Sequence, residues 1–200
     1  MKNIIVIGAG GHAISCADVI LSKKEFKIFG FVDNAKNTVQ KDFKIIGTDK
    51  DLSLIRKKIK YAFIGIGQIK SSKKREVVFK KLIKLNFSLP IISSKHSYIS
   101  KNVKIGVGTI FMHNSVVNFN AIIESNCIIN TGSIIEHDCF IGKNSHIAPG
   151  AIINGGVYVD SGTFIGSGTV IKQGITIGKN CIISAGKYIN KNISDNKIIK

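Results

Sequence analysis

The feature that most constrains this chain is a period of six. From Ile99 to Ile189 every sixth residue is large and apolar: Ile99, Ile105, Phe111, Val117, Ile123 and onward to Ile177, Ile183 and Ile189, sixteen positions without a break. Four residues after each stands a small or β-branched partner, among them Val103, Thr109, Ser115, Ala121, Cys127, Ser133 and Cys139. This second series holds to Thr169 and then degrades through Ile175 and Cys181 to Lys187. Six fits neither the 3.6-residue turn of a helix nor the two-residue alternation of a strand. It fits a solenoid of short strands joined at tight corners, with the large residue filling the interior and the small one beside each turn. Gly106, Gly108, Gly142, Asn144, Gly150, Gly166, Gly168, Gly178 and Asn180 cluster near the corners, where a positive φ is needed.

The residues before the repeat follow a different rule. Ile4–Ile7 reads as a buried strand that runs into Gly8-Ala9-Gly10-Gly11-His12-Ala13 and then a helical stretch from Ile14 to Lys23. A strand, a glycine turn and a helix in that order cradle phosphate through the free N–H groups of the helix N-terminus. Phe26–Val32 reads as a second strand ending at Asp33, an acidic residue placed to accept hydrogen bonds from a ribose or base. Gly47-Thr48-Asp49 is a predicted turn before a helix over Leu52–Ile59. Ala62–Gly67 is a third predicted strand. A third helix is expected over Lys73–Leu85, with Val77, Val78, Leu82 and Ile83 inward. This alternation predicts a small Rossmann-like α/β domain with a parallel sheet over residues 1–90, and an all-β solenoid domain over 91–200. The glycine run matches G-x-G-x-x-A, so a dinucleotide oxidoreductase is a competing reading; the short sheet argues for a half-site holding one nucleotide.

Composition narrows the partners. The formal charge is +17, but the lysines are spread along the chain without interleaved aromatics, which argues against nucleic acid and suits small polyanionic ligands. No run reaches the ~20 apolar residues of a membrane span. The start of the chain lacks a signal-peptide pattern, and the four cysteines form neither a CxxC pair nor a disulfide framework, so a reducing cytoplasm is expected.

The period resembles the left-handed parallel β-helix of the hexapeptide acyltransferases, where three hexapeptides make one triangular coil and residues eighteen apart stack. Cys127, Ser145, Thr163 and Cys181 then form a column of small residues. The ordered set Gly8-Ala9-Gly10-Gly11-His12, Gly30-Phe31-Val32-Asp33, Ile46-Gly47-Thr48-Asp49, Ile64-Gly65-Ile66-Gly67 and Ile135-Glu136-His137-Asp138-Cys139 resembles bacterial sugar acetyltransferases. Two types are similar: UDP-4-amino-sugar N-acetyltransferases of bacillosamine-type pathways, and sialic acid O-acetyltransferases.

The resemblance implies acetyl-CoA as co-substrate, no metal, and a homotrimer with active sites between subunits. It implies His137 as general base, Asp138 as the residue orienting it, and Gly155 as the N–H donor to the thioester oxygen. His146 would lie near the acetyl donor, and Asn130 would line the acceptor pocket. Gly8, Gly10, Gly11, His12, Asp33 and Gly67 would hold the nucleotide sugar, and Gly166, Gly168 and Gly186 the pantetheine arm. The chemistry agrees: an amine attacking a thioester needs a base poised near neutral pH and a donor ready for the oxyanion. Gly155 is eighteen residues beyond His137, in a column with Phe119 and Gln173. His113 falls outside that column and is read as surface or interface. The tail Ile189–Lys200 lacks the family's Gly-x-Pro-Ala segment, a departure that bears on the adenine end of coenzyme A. Acetylation of a sugar hydroxyl needs the same base, so it stands as the alternative to acetylation of an amine; a non-catalytic or metal-binding β-helix is a third reading.

Overall fold

The structure is a computed structural model that describes residues 1–34 and 43–200. The first half is a small α/β layer. Its elements are β1 (Lys2–Ile7), α1 (Gly11–Leu21), β2 (Phe26–Val32), β3 (Ile45–Gly47), α2 (Leu52–Arg56), β4 (Tyr61–Ile64) and α3 (Lys73–Lys84). The four strands pair in parallel in the order β3-β2-β1-β4. β1 is central because Ile4–Ile7 is apolar on both faces and wholly buried. Ile4 and Val6 pack with α1, while Ile5 and Ile7 pack with α2 and α3.

Local details differ from the sequence reading. α1 begins at Gly11 rather than Ile14, because Gly10 caps it in an extended conformation. His12 therefore sits in the first helical turn. β4 stops at Ile64 because the chain must pass α1 closely: a side chain at Gly65 would meet Ala13 and Val6 at 2.8 Å. α2 is only five residues long, and the three-residue β3 lies partly in the stretch read as a turn. On α3 the buried stripe is Arg75, Val78 and Leu82, whereas Val77 and Ile83 are exposed.

The second half is a triangular parallel β-helix. Three sheets of seven, six and five two-residue strands form its walls. Face one carries strands such as Ile128–Ile129 and His146–Ile147, face two Ile134–Ile135 and Ile152–Ile153, and face three Phe140–Ile141 and Tyr158–Val159. Each strand pairs with the one eighteen residues on: Ile128 with His146, Ile134 with Ile152, Phe140 with Tyr158. The large period-six residues from Phe111 to Ile183 are 1% exposed or less, and the Cys127, Ser145, Thr163, Cys181 column is fully buried. Threonines of the small series also satisfy corner carbonyls, as when Thr109 donates to the Glu124 carbonyl and Thr163 to that of Gly178. The last coil is shorter: Ile182 pairs with Ile198, sixteen residues on.

The corners divide the glycines into two classes. One residue per corner has a positive φ, at six-residue spacing: Gly108, Asn114, Asn120, Asn126, Gly132, Asp138, Asn144, Gly150, Gly156 and onward to Gly186. These positions take glycine, asparagine and one aspartate, the residues that tolerate the left-handed region. Gly106, Gly142, Gly166 and Gly178 do not have positive φ. They are glycine because a Cβ would strike the next coil; at Gly142 it would lie 2.6 Å from the Ser161 nitrogen.

The two halves meet on face one. Ile92, Ile110, Met112 and Ile128, on the outer surface of this face, share a buried cluster with Ala13, Cys16 and Ala17 of α1. His113 belongs to this junction: its Nε2 lies 2.8 Å from Asp18 on α1 and its Nδ1 2.6 Å from the Ser94 hydroxyl.

Gly142→Ala should destabilise the protein by about 1–3 kcal/mol through overpacking against the coil above. Gly150→Asn, which faces open space at φ +66°, should cost less than about 1 kcal/mol. Urea or thermal denaturation of the two variants checks this, and equal losses would reject the two-class account.

Candidate active site

His137 stands at the corner between faces two and three. Its Nδ1 is 2.8 Å from Asp138 Oδ2. Asp138 occupies the left-handed corner position at φ 59°, which turns its carboxylate back onto the preceding imidazole. Asn120, eighteen residues earlier, donates its side-chain N–H to Asp138 Oδ1 at 2.7 Å. That bond first, and the His137 contact second, hold the carboxyl below the usual carboxylate range. An ionised Asp138 accepts the Nδ1–H, so the Nε2 lone pair of His137 points outward. Both side chains are more than half exposed.

Gly155 lies against that imidazole. A Cβ there would be 2.7 Å from His137 Cε1 and Nε2. The Gly155 N–H sits in a turn and donates to no group among the described residues, whereas its carbonyl accepts from Gly174. An open N–H thus stands one coil, ~4.8 Å, from the His137 position. Below them in the column, Phe119 is 58% exposed.

The other expected cofactor glycines occupy different places. Gly168 and Gly186 stack with Gly132 and Gly150 along the corner between faces one and two, each at positive φ and each with open space where a side chain would be. Their N–H groups are used in the coil ladder, to the carbonyls of Pro149 and Ser167. Their Cα faces are open. Gly166 is covered by Ser184 and Ala185 of the next coil, and its N–H donates to the Ile183 carbonyl.

A separate cavity of about 370 Å³ opens at the C-terminal ends of β1, β2 and β4. Its lining includes Gly8, Gly10, Gly11, His12, Asp33 and Gly67, the residues expected to hold the nucleotide, with Asn34, Asp49 and Lys74. Asp33 Oδ2 accepts the Ala9 N–H at 2.7 Å and so shapes the glycine turn. The free N-terminus of α1 faces the cavity, a site suited to phosphate, and Lys74 supplies a cation. Lys74 went unnoticed in the sequence because it sits on a helix of many lysines. Asn120 was findable by the same eighteen-residue count that found Gly155.

Within one chain His146 and Asn130 lie apart from His137, on face one beneath the α/β layer. His146 projects outward from face one yet is only 7% exposed. Its Nδ1–H donates to the Gln68 carbonyl at 2.7 Å, and its Nε2 accepts from Asn130 Nδ2 at 3.0 Å. The Asn130 orientation is fixed because its Oδ1 accepts the Thr131 N–H. His146 is therefore a neutral imidazole with both nitrogens engaged. His12 lies beside it, ring centroids 6.4 Å apart. Burial, with the nearby Arg75 charge, pushes both imidazoles down to about 4.

Comparison with known proteins agrees with both halves. The family model described as PglD N-terminal domain matches residues 3–82, and the bacterial transferase hexapeptide (six repeats) model matches 120–155 and 156–191. The acetyltransferase domain of PglB from Neisseria gonorrhoeae FA1090, solved in complex with acetyl coenzyme A, is 25% identical with a TM-score of 0.93, over 98% of this chain and 95% of that one. A point mutant of perosamine N-acetyltransferase from Caulobacter crescentus, solved with CoA and GDP-perosamine, is 26% identical with a TM-score of 0.93, over 99% and 93%. WeeI from Acinetobacter baumannii AYE is 26% identical with a TM-score of 0.85, over 100% and 97%. No curated protein matches the chain. The β-helix is of the left-handed hexapeptide kind found in these structures. Among the described residues no group of three or more metal-ligating side chains comes together, and no helix is long and apolar enough to cross a membrane.

The depressed histidines set a pH dependence. Each has a folded value near 4, below the unfolded ~6.5, so between those values the unfolded chain binds more protons. Their contribution to stability is complete above pH 6.5 and is lost as pH falls toward 4, on the order of 2–3 kcal/mol for each imidazole. Urea midpoints at pH 7, 5.5 and 4.5 should fall, and His146→Gln should flatten part of that slope. An unchanged slope in the variant would contradict the buried neutral state.

Proposed function

The chain belongs to the PglD/perosamine-type family of bacterial sugar N-acetyltransferases, and we propose that it transfers acetyl from acetyl-CoA to an amine of a nucleotide-linked sugar with His137 as general base. The observation that carries this reading is the packing of the His137 imidazole, oriented by Asp138, against Gly155, whose N–H is open among the described residues. As the sugar amine attacks the thioester carbonyl, His137 Nε2 takes the ammonium proton that forms. The Gly155 N–H donates to the oxyanion of the tetrahedral intermediate. Collapse breaks the C–S bond, and the imidazolium returns the proton to the departing thiolate. Asp138 stabilises the imidazolium between those steps, and Asn120 keeps Asp138 in place.

The nucleotide is assigned to the cavity at the glycine turn. Its phosphates would meet the α1 N-terminus and Lys74, and its ribose or base would lie near Asp33, Asn34 and Asp49. The division near residue 90 would thus separate nucleotide binding from acetyl transfer, within a cytoplasmic enzyme.

That cavity is carried on face one, whereas His137 is at the opposite corner of the triangle, roughly 15 Å away by chain reach. We propose a homotrimer in which the His137 corner of one subunit faces the nucleotide cavity and the glycine-lined corner of its neighbours. The apolar column on face two, exposed at Tyr98 and Tyr188 and partly exposed at Val116, Ile134, Ile152 and Val170, supports an assembly.

His137→Ala should lower kcat by about 10²–10⁴-fold with an unchanged melting temperature, and Gly155→Ala, whose methyl displaces the imidazole, should also be strongly impaired. Full turnover in His137→Ala would remove this residue from the mechanism. Sedimentation should give a trimer; a fully active monomer would refute the shared site.

A further inference from the structure

The deepest charged side chain among the described residues has no place in this chemistry. Arg75, on α3, is 1% exposed. Its guanidinium forks between the two halves. One terminal nitrogen donates to the Ile66 carbonyl at 2.7 Å. The other donates to the carbonyl and the side-chain oxygen of Asn126, at 2.7 and 2.8 Å. Asn126 is itself fully buried at a β-helix corner and donates to Asn144 of the next coil.

The same short loop is gripped at its other end. The Gln68 carbonyl accepts from His146 on face one, and the Gln68 side chain donates to the Gly162 carbonyl. Ile66–Gln68 is therefore pinned to three successive coils of the β-helix, through Asn126, His146 and Gly162. Gly65, Ile66 and Gly67 line the cavity, and Gly67 packs against His12. The floor of the cavity is thus held by the β-helix as well as by the sheet that carries it.

Stability alone does not explain an arginine here. The Arg75 Nε and the Gln68 Oε1 are both buried and without a hydrogen-bond partner, an unfavourable arrangement. An apolar residue of similar volume in place of a buried charged group is often neutral or stabilising. What an apolar residue lacks is the planar fork that fixes two acceptors relative to each other. Position matters because a reacting group displaced by about 1 Å can lose on the order of 10²-fold in rate.

We propose that Arg75 is a positioning residue that sets the cavity floor in register with the β-helix, so that the nucleotide is bound where its sugar can reach an imidazole of the solenoid. This rests on the assignment of the cavity to a nucleotide. Its charge also bears on the floor directly, since it contributes to keeping His12 and His146 neutral.

The test is calorimetric titration of the full-length protein with UDP, GDP and coenzyme A. Arg75→Lys keeps the charge and loses the fork. Asn126→Gly keeps the backbone carbonyl at φ 59°, where glycine is at ease, and loses only the side-chain contacts, so it folds even where Arg75→Lys does not. The Kd for the nucleoside diphosphate that the wild type prefers should rise about tenfold in Arg75→Lys and about threefold in Asn126→Gly. The Kd for coenzyme A should stay within twofold. A purely structural arginine would lower the melting temperature and leave both constants unchanged, and that result overturns the proposal. Wild-type protein that binds neither diphosphate would overturn the nucleotide assignment itself, and this inference with it.

Discussion

Everything in the molecule depends on a corner that recurs every six residues in a left-handed conformation. That corner lets the chain turn after two extended residues, and three of them close a coil of eighteen. Closure in register creates columns, and columns are what bring distant residues together here. His137 meets Gly155 and Asn120 meets Asp138 for no other reason than the count of eighteen. The corner also supplies the orientation. Its left-handed position takes Asn or Gly at nearly every turn of the solenoid, and at 138 it takes Asp. A carboxylate on that kink points back at the preceding side chain, so the structural device that turns the chain also aligns the imidazole.

The solenoid was largely legible in the sequence because one rule is enforced at every position. A large residue that failed to point inward would break the triangle, so every period-six residue from Phe111 to Ile183 lies in the buried core. The glycines were less legible. Gly142 and Gly150 fall at different phases of the repeat, but only the structure shows that one is forced by the coil above it and the other by its own φ.

The α/β layer was less legible, for a related reason. Its strands announced themselves as apolar runs, but the faces of α3 did not. Hydrophobicity argued for Val77 and Ile83 inward and said nothing for Arg75. The structure inverts this because α3 docks at the junction with the β-helix, where polar backbone from both halves is buried and must be satisfied. His146 is buried at the same junction. Its position in the repeat marks it as outward-facing, which on face two or three would mean solvent. On face one, outward means into the α/β layer.

The two candidate sites on one chain therefore face different ways. The cavity looks out from face one, bordered by a loop that the β-helix grips. His137 and the open Gly155 N–H stand across the triangle, and the glycine column runs up a third edge. A lone triangle separates these elements; the proposed trimer would bring unlike corners of neighbouring triangles into contact. The rigidity of the coil then becomes functionally important. A stack of parallel strands hydrogen-bonded on both sides bends little, so the distance from a corner to a face is the same in every copy. A flexible loop can adjust to its own substrate, but a site assembled from separate chains needs parts whose spacing is set before they meet. Pinning the cavity floor to the solenoid at Asn126, His146 and Gly162 extends that fixed spacing from the β-helix into the layer that carries the cavity.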